Sequence, residues 1–67
     1  MIIWVNQQPQ EVVTPISLLQ LMQQLNKAEQ KGIAVALHQK VIPKERWDRT
    51  NLKEEDKITI ITATQGG

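Results

Sequence analysis

One segment sets the architecture this chain can adopt. Leu18, Leu21, Met22 and Leu25 fall within a narrow arc at about 100° per residue. The stretch from about Ser17 to Lys27 therefore predicts an amphipathic helix with a single apolar stripe. Gln20, Gln23, Gln24 and Lys27 take its wet side. Thr14 or Ser17 offers a side-chain cap, Pro15 suits the first turn, and Gly32 lies in the loop beyond. The rest of the chain reads as short strands. Ile2 to Val5 is the first, and Asn6-Gln7-Gln8-Pro9 favours a turn. Gln10 to Val13 completes a hairpin. Ile33 to His38 is a third strand, and Gln39-Lys40 a turn. Val41-Ile42 is a very short fourth strand stopped by Pro43, which has no N–H to give a ladder. Lys44 to Trp47 reads as a polar turn with one large anchor, and Lys57 to Thr64 as the last strand.

Alternation assigns the faces. Ile3 and Val5, Ile33, Val35 and Leu37, and Ile58 and Ile60 point one way. Ile2 and Trp4, Ala34, Ala36 and His38, and Thr59, Ile61 and Ala63 point the other. The helix stripe covers Ile3, Val5, Val35, Leu37, Ile58 and Ile60. A hairpin, a helix and a return to the sheet give an α+β fold with one helix packed across a mixed four- to five-stranded sheet. This is the order of a β-grasp, or ubiquitin-like, fold.

Size and residue usage narrow the chemistry. The 67 residues hold one small domain, residues 1–67, with a thin core. The absence of cysteine removes disulfides, thiolate metal sites and a cysteine nucleophile. A single histidine, His38, leaves no zinc ligand set. The first residues read neither as a targeting signal nor as a membrane span. The expectation is a complete, soluble, cytoplasmic chain.

Three polar features have plain structural readings. His38 has no evident partner on its face of the strand and reads as a partly exposed sheet histidine. Glu54-Glu55-Asp56 lacks the bent loop that converges carboxylates on a cation, and reads as a solvated turn. Lys40, Lys44, Arg46 and Arg49 surround Trp47, a pairing seen in single-stranded nucleic-acid binders. Glu45 and Asp48 interrupt them, and the net charge is only +1. Trp47 instead reads as an anchor on the core. The basic turn is at most a rim for an acidic partner.

The carboxyl terminus has two readings, a plain end of small residues or a reactive tail with a definite chemistry. Gln65-Gly66-Gly67 follows directly on a strand. Two residues without Cβ let a tail thread a narrow channel into another protein. The Gly67 α-carboxylate is ionised at neutral pH. On the second reading, such a carboxylate can attack the α-phosphorus of ATP in a partner's site, giving an acyl-adenylate and releasing pyrophosphate. Sulfur then displaces AMP and leaves a thiocarboxylate.

The chain resembles the ThiS family of sulfur carrier proteins. The resemblance spans essentially its whole length. It is carried by Ile2-Ile3-Trp4-Val5-Asn6, Leu18-Leu19-Gln20-Leu21-Met22, Ala34-Val35-Ala36-Leu37 and the Glu55-Asp56-Lys57-Ile58 entry to the last strand. Val41-Ile42-Pro43-Lys44-Glu45-Arg46-Trp47 discriminates most, while terminal Gly66-Gly67 is shared with other ubiquitin-like carriers. The resemblance implies a protein cosubstrate rather than an enzyme. A ThiF-type adenylyltransferase activates Gly67 and consumes the ATP, so no cofactor resides on the carrier. A persulfide-bearing protein supplies sulfur, and a ThiG-type thiazole synthase uses it for the thiazole ring of thiamine. No nucleic acid and no membrane take part. Gln65 stands where many relatives have a smaller or more apolar residue.

Two other readings compete. Carriers of the MoaD type, for molybdopterin, are longer and have proline before the final glycines, whereas Thr62-Ala63-Thr64-Gln65 has none. A ubiquitin-like modifier or interaction domain would instead join its Gly-Gly to lysines. On either carrier reading, Trp4, Ile61 and Ala63 on the face away from the helix form a candidate docking surface.

Overall fold

The amino-terminal hairpin begins with a register set by its turn. In the computed structural model, which describes residues 1–62, β1 (Ile2–Val5) pairs antiparallel with β2 (Gln8–Glu11). Only Asn6 and Gln7 lie between them, both at positive φ (50° and 70°). That is the two-residue turn whose twist matches a hairpin. The expected turn of residues 6–9 is thus two residues shorter, and β2 starts earlier than Gln10. Pro9 sits inside β2, opposite Trp4. Met1 and Val12 exchange both backbone hydrogen bonds, at 3.1 and 2.8 Å. Alternation then makes Trp4 and Pro9 a non-hydrogen-bonded pair, so the Pro9 nitrogen faces the open edge, where no donor is required.

The helix α1 (Leu18–Gln24) is shorter than the 17–27 expected. Ser17 is the N-cap: its Oγ accepts from Gln20 N–H at 3.1 Å, and Gln20 Oε1 accepts from Ser17 N–H at 2.8 Å. This reciprocal box explains why Thr14 is not the cap and why Pro15 stays outside the helix. The far end is a Schellman motif. Asn26, at φ 59°, donates to Gln23 O, and Lys27 donates to Met22 O. The helix therefore stops one residue before Leu25 can join it, yet Leu25 still packs on the core.

The second half of the chain closes the sheet. β3 (Ile33–Leu37) pairs with β4 (Lys40–Val41) through a turn at His38 and Gln39, both at positive φ. The turn lies one residue earlier than expected, and His38 leaves the strand for it. Lys44 to Trp47, expected as a polar turn, belong to a 3-10 helix, Lys44–Arg49. β5 runs over Lys57–Thr62 as described; its expected extension to Thr64 lies outside the described residues. The sheet order is β2-β1-β5-β3-β4, with β5 parallel to β1 and antiparallel to β3. All five strands form one sheet.

The core lies between this sheet and α1. Ile3, Leu18, Leu21, Met22, Val35 and Ile58 are fully buried. Each such side chain stabilises the fold by about 1.5–3 kcal/mol relative to exposure. Ile60 is buried with them, while Val5 and Leu37 are partly covered. Trp47 is 2% exposed, and its indole N–H donates to Ile42 O at 3.0 Å. The anchor reading holds. Leu18 N–H donates to Thr50 O, which ties the start of α1 to the end of the 3-10 helix.

Candidate functional site

Register alone defines the surface opposite α1. Trp4 stands beside Lys57, Thr59 beside Ala36, Ile61 beside Ala34, and Ala36 beside Val41. Paired residues share a face, so these line the side of the sheet that the helix leaves uncovered. Ile61 is 54% exposed and Val41 63% exposed. Trp4 is only half-buried, and its indole N–H donates to Glu55 Oε1 at 2.9 Å. The expected orientation of Trp4 and Ile61 is therefore observed. They are not adjacent, however: Lys57 and Thr59 separate them, a span of about 13 Å along β5. Ile61 neighbours Ala34, and Trp4 borders a shallow depression shared with Gln7, His38 and Lys57. Ala63, Gln65, Gly66 and Gly67 lie outside the described residues. What leads to them is β5, flanked by β1 on one side and β3 on the other.

The acidic turn differs from its expected character. Glu54 Oε2 accepts from Ile2 N–H at 3.1 Å, Glu55 holds Trp4, and Asp56 is 8% exposed. Asp56 Oδ2 accepts from Lys53 N–H at 2.7 Å, and Oδ1 lies 2.7 Å from His38 Nε2. The cluster is a clasp that joins the entry of β5 to β1 and to the β3–β4 turn. Likewise His38 does have a partner, although its own strand does not supply it. A sequence separation of 18 residues hides this pairing from any local pattern. Among the described residues, no three His, Asp or Glu side chains gather as metal ligands. Nor is any described helix long and apolar enough to cross a membrane.

The clasp makes a stability prediction. Asp56→Ala removes the acceptor for Lys53 N–H and for His38 together, and should cost about 2 kcal/mol in urea unfolding. A loss below about 0.5 kcal/mol would show that the clasp contributes little.

The sequence patch that shaped the docking expectation missed Asn6, which read only as a turn residue. Its side chain grips the backbone of β5: Ile60 N–H donates to Oδ1 at 2.7 Å, and Nδ2 donates to Ile60 O at 3.3 Å. The only local signal was an Asn at a hairpin position that favours positive φ.

Against this geometry, the match to known proteins is decisive. The model of the ThiS family matches residues 3–67. The chain belongs to the ThiS family. Its relatives include the sulfur carrier protein ThiS of Escherichia coli (strain K12), 28% identical over 62 residues that make up 92% of each chain. The crystal structure of a thiamine biosynthesis protein, ThiS, from Geobacter metallireducens is similar over the whole of both chains, with a TM-score of 0.84 at 26% identity. A solution structure of a thiamine biosynthesis protein from the same organism gives 0.81 at 26% identity, covering all of this chain and 88% of that one. The ThiS-family fold, a mixed five-stranded β-grasp sheet with one helix, is the one expected from the order of elements.

Proposed function

We propose that this ThiS-family chain carries sulfur for thiamine biosynthesis on its last residue. The observation that carries the reading is the extent of the family match, which runs to residue 67 and so includes Gly66-Gly67. The Gly67 carboxylate attacks the α-phosphorus of ATP inside a ThiF-type adenylyltransferase. Pyrophosphate leaves; the outer sulfur of a persulfide-bearing protein then attacks the acyl-adenylate and displaces AMP. A thiol of that sulfur-transfer system cleaves the resulting acyl disulfide, which releases the thiocarboxylate and leaves a disulfide behind. A ThiG-type thiazole synthase then takes the sulfur and returns the carboxylate. Gly66 and Gln65 thread the partner's channel, where a side chain in place of Gly66 would crowd the approach. The carrier is a cosubstrate with no turnover of its own, needs no bound cofactor, and works in the cytoplasm.

Intact-mass spectrometry tests this directly. Incubation with ATP, the adenylyltransferase and the sulfur donor should add about 16 Da, one oxygen exchanged for sulfur. An adduct on a lysine instead would identify a protein modifier.

The open sheet face is the docking surface in this reading. Ile61 is exposed there, close in sequence to the tail. Ile61→Asp should weaken binding to the adenylyltransferase about tenfold or more, because a charge would be buried without a partner. The thermal midpoint should stay within a few degrees, since Ile61 contributes little to the core. Unchanged affinity in a titration would remove Ile61 from the interface.

A further inference from the structure

We infer that Asn6 is a positioning residue that keeps the last strand on course where β1 no longer supports it, and so presents the carboxyl-terminal segment to the activating enzyme. Its purpose rests on the sulfur-carrier reading; its geometry does not. β1 ends at Val5, opposite Ile58, and the chain turns away through Asn6 and Gln7. β5 continues to Thr62. Ile58 O accepts from Asn6 N–H at 2.9 Å, so the backbone groups of Ile60, two residues on, face the same side. Among the described residues no strand stands there. The Asn6 amide takes its place, accepting from Ile60 N–H at 2.7 Å and donating to Ile60 O at 3.3 Å.

A primary amide is suited to this because it offers an acceptor and a donor side by side, as a peptide unit does. Aspartate lacks the donor, and serine or threonine has one oxygen for both tasks. The same residue sits at φ 50°, which asparagine tolerates better than most side chains. One position therefore meets two demands, a turn and a strand substitute. On the opposite edge β3 still pairs with β5 through Ile33 and Thr62. Without Asn6 the strand would be held there alone, and its end would fray toward Ile58. Every residue loosened this way must be ordered again when the tail enters the partner.

The test uses the full-length carrier, as Asn6→Gly and Asn6→Asp. Glycine keeps the positive φ and removes the amide; aspartate keeps the acceptor for Ile60 N–H and loses the donor. Amide exchange at Ile60 should quicken about fivefold or more in Asn6→Gly and less in Asn6→Asp, with the Val12 amide of the hairpin unchanged. In ATP–pyrophosphate exchange by the adenylyltransferase, kcat for Asn6→Gly should fall about three- to tenfold with KM within about twofold, since the docking face is intact. A purely structural role would lower the folded fraction, which raises the apparent KM and leaves kcat alone. Unchanged Ile60 exchange, or an effect on KM only, overturns the inference. If wild-type carrier supports no exchange at all, the sulfur-carrier reading fails. Ile60 exchange and residual dipolar couplings at residues 61 and 62 then decide on Asn6, and values equal to wild type in Asn6→Gly overturn it.

Discussion

Trp47→Ala should lose about 3–5 kcal/mol of stability, the range for emptying a buried aromatic site. A chain of this length has about 3–10 kcal/mol in all, at the usual stability per residue. The variant is therefore expected to be largely unfolded at 25 °C, or to melt far below wild type. The reason is local. Trp47 is 2% exposed, anchors the 3-10 helix in the core cluster, and its indole N–H satisfies Ile42 O. Lys44 Nζ lies 6.0 Å from the ring centroid, at the limit of useful cation–π attraction, so it adds little. Trp47→Phe separates the two contributions. It keeps most of the apolar volume and leaves Ile42 O without its indole donor, and should cost about 1–3 kcal/mol. Urea unfolding followed by circular dichroism measures both. A loss below about 1 kcal/mol for Trp47→Ala would contradict the anchor role.

Deletion of Gly67 should abolish sulfur loading while leaving the fold intact. The shortened chain still ends in a carboxylate, now on Gly66, so acidity and nucleophile type are unchanged. Its reach is shorter by about 3.3–3.6 Å, one extended residue. A displacement of about 1 Å can already cost about a hundredfold in rate. Thiocarboxylate yield should therefore drop below about one-hundredth of wild type in the mass assay. Among the described residues the buried core runs from Ile3 to Ile60, so the circular dichroism spectrum and melting midpoint should not move. A shortened chain loaded at the wild-type rate would sink the assignment of Gly67.

Much of this was legible in the sequence because the signals are local. The stripe of Leu18, Leu21 and Met22 needs only the helical period, and all three are buried. Alternation alone put Ile58 and Ile60 inward and Ile61 outward, as observed. The misplaced strand boundaries are short shifts that share a cause. The two turns, at Asn6-Gln7 and His38-Gln39, are built by residues at positive φ rather than by proline or glycine. Pro9 suggested a turn because a proline nitrogen cannot pair. Only the register shows that its nitrogen faces an open edge.

The site divides along the same line. Sequence alone pointed to the backbone carboxylate of Gly67 as the group that carries the proposed chemistry. It also determined that a helix covers one face of a sheet and leaves the other open, since residue type and period are properties of the chain itself. Tertiary structure decided which distant groups meet. It brought His38 to Asp56, Trp4 to Glu55, and the Asn6 amide to the backbone of Ile60, 54 residues away. Such pairs depend on strand order and register. A one-residue slip would reverse every face and separate all three, and only packing of the whole core selects the register.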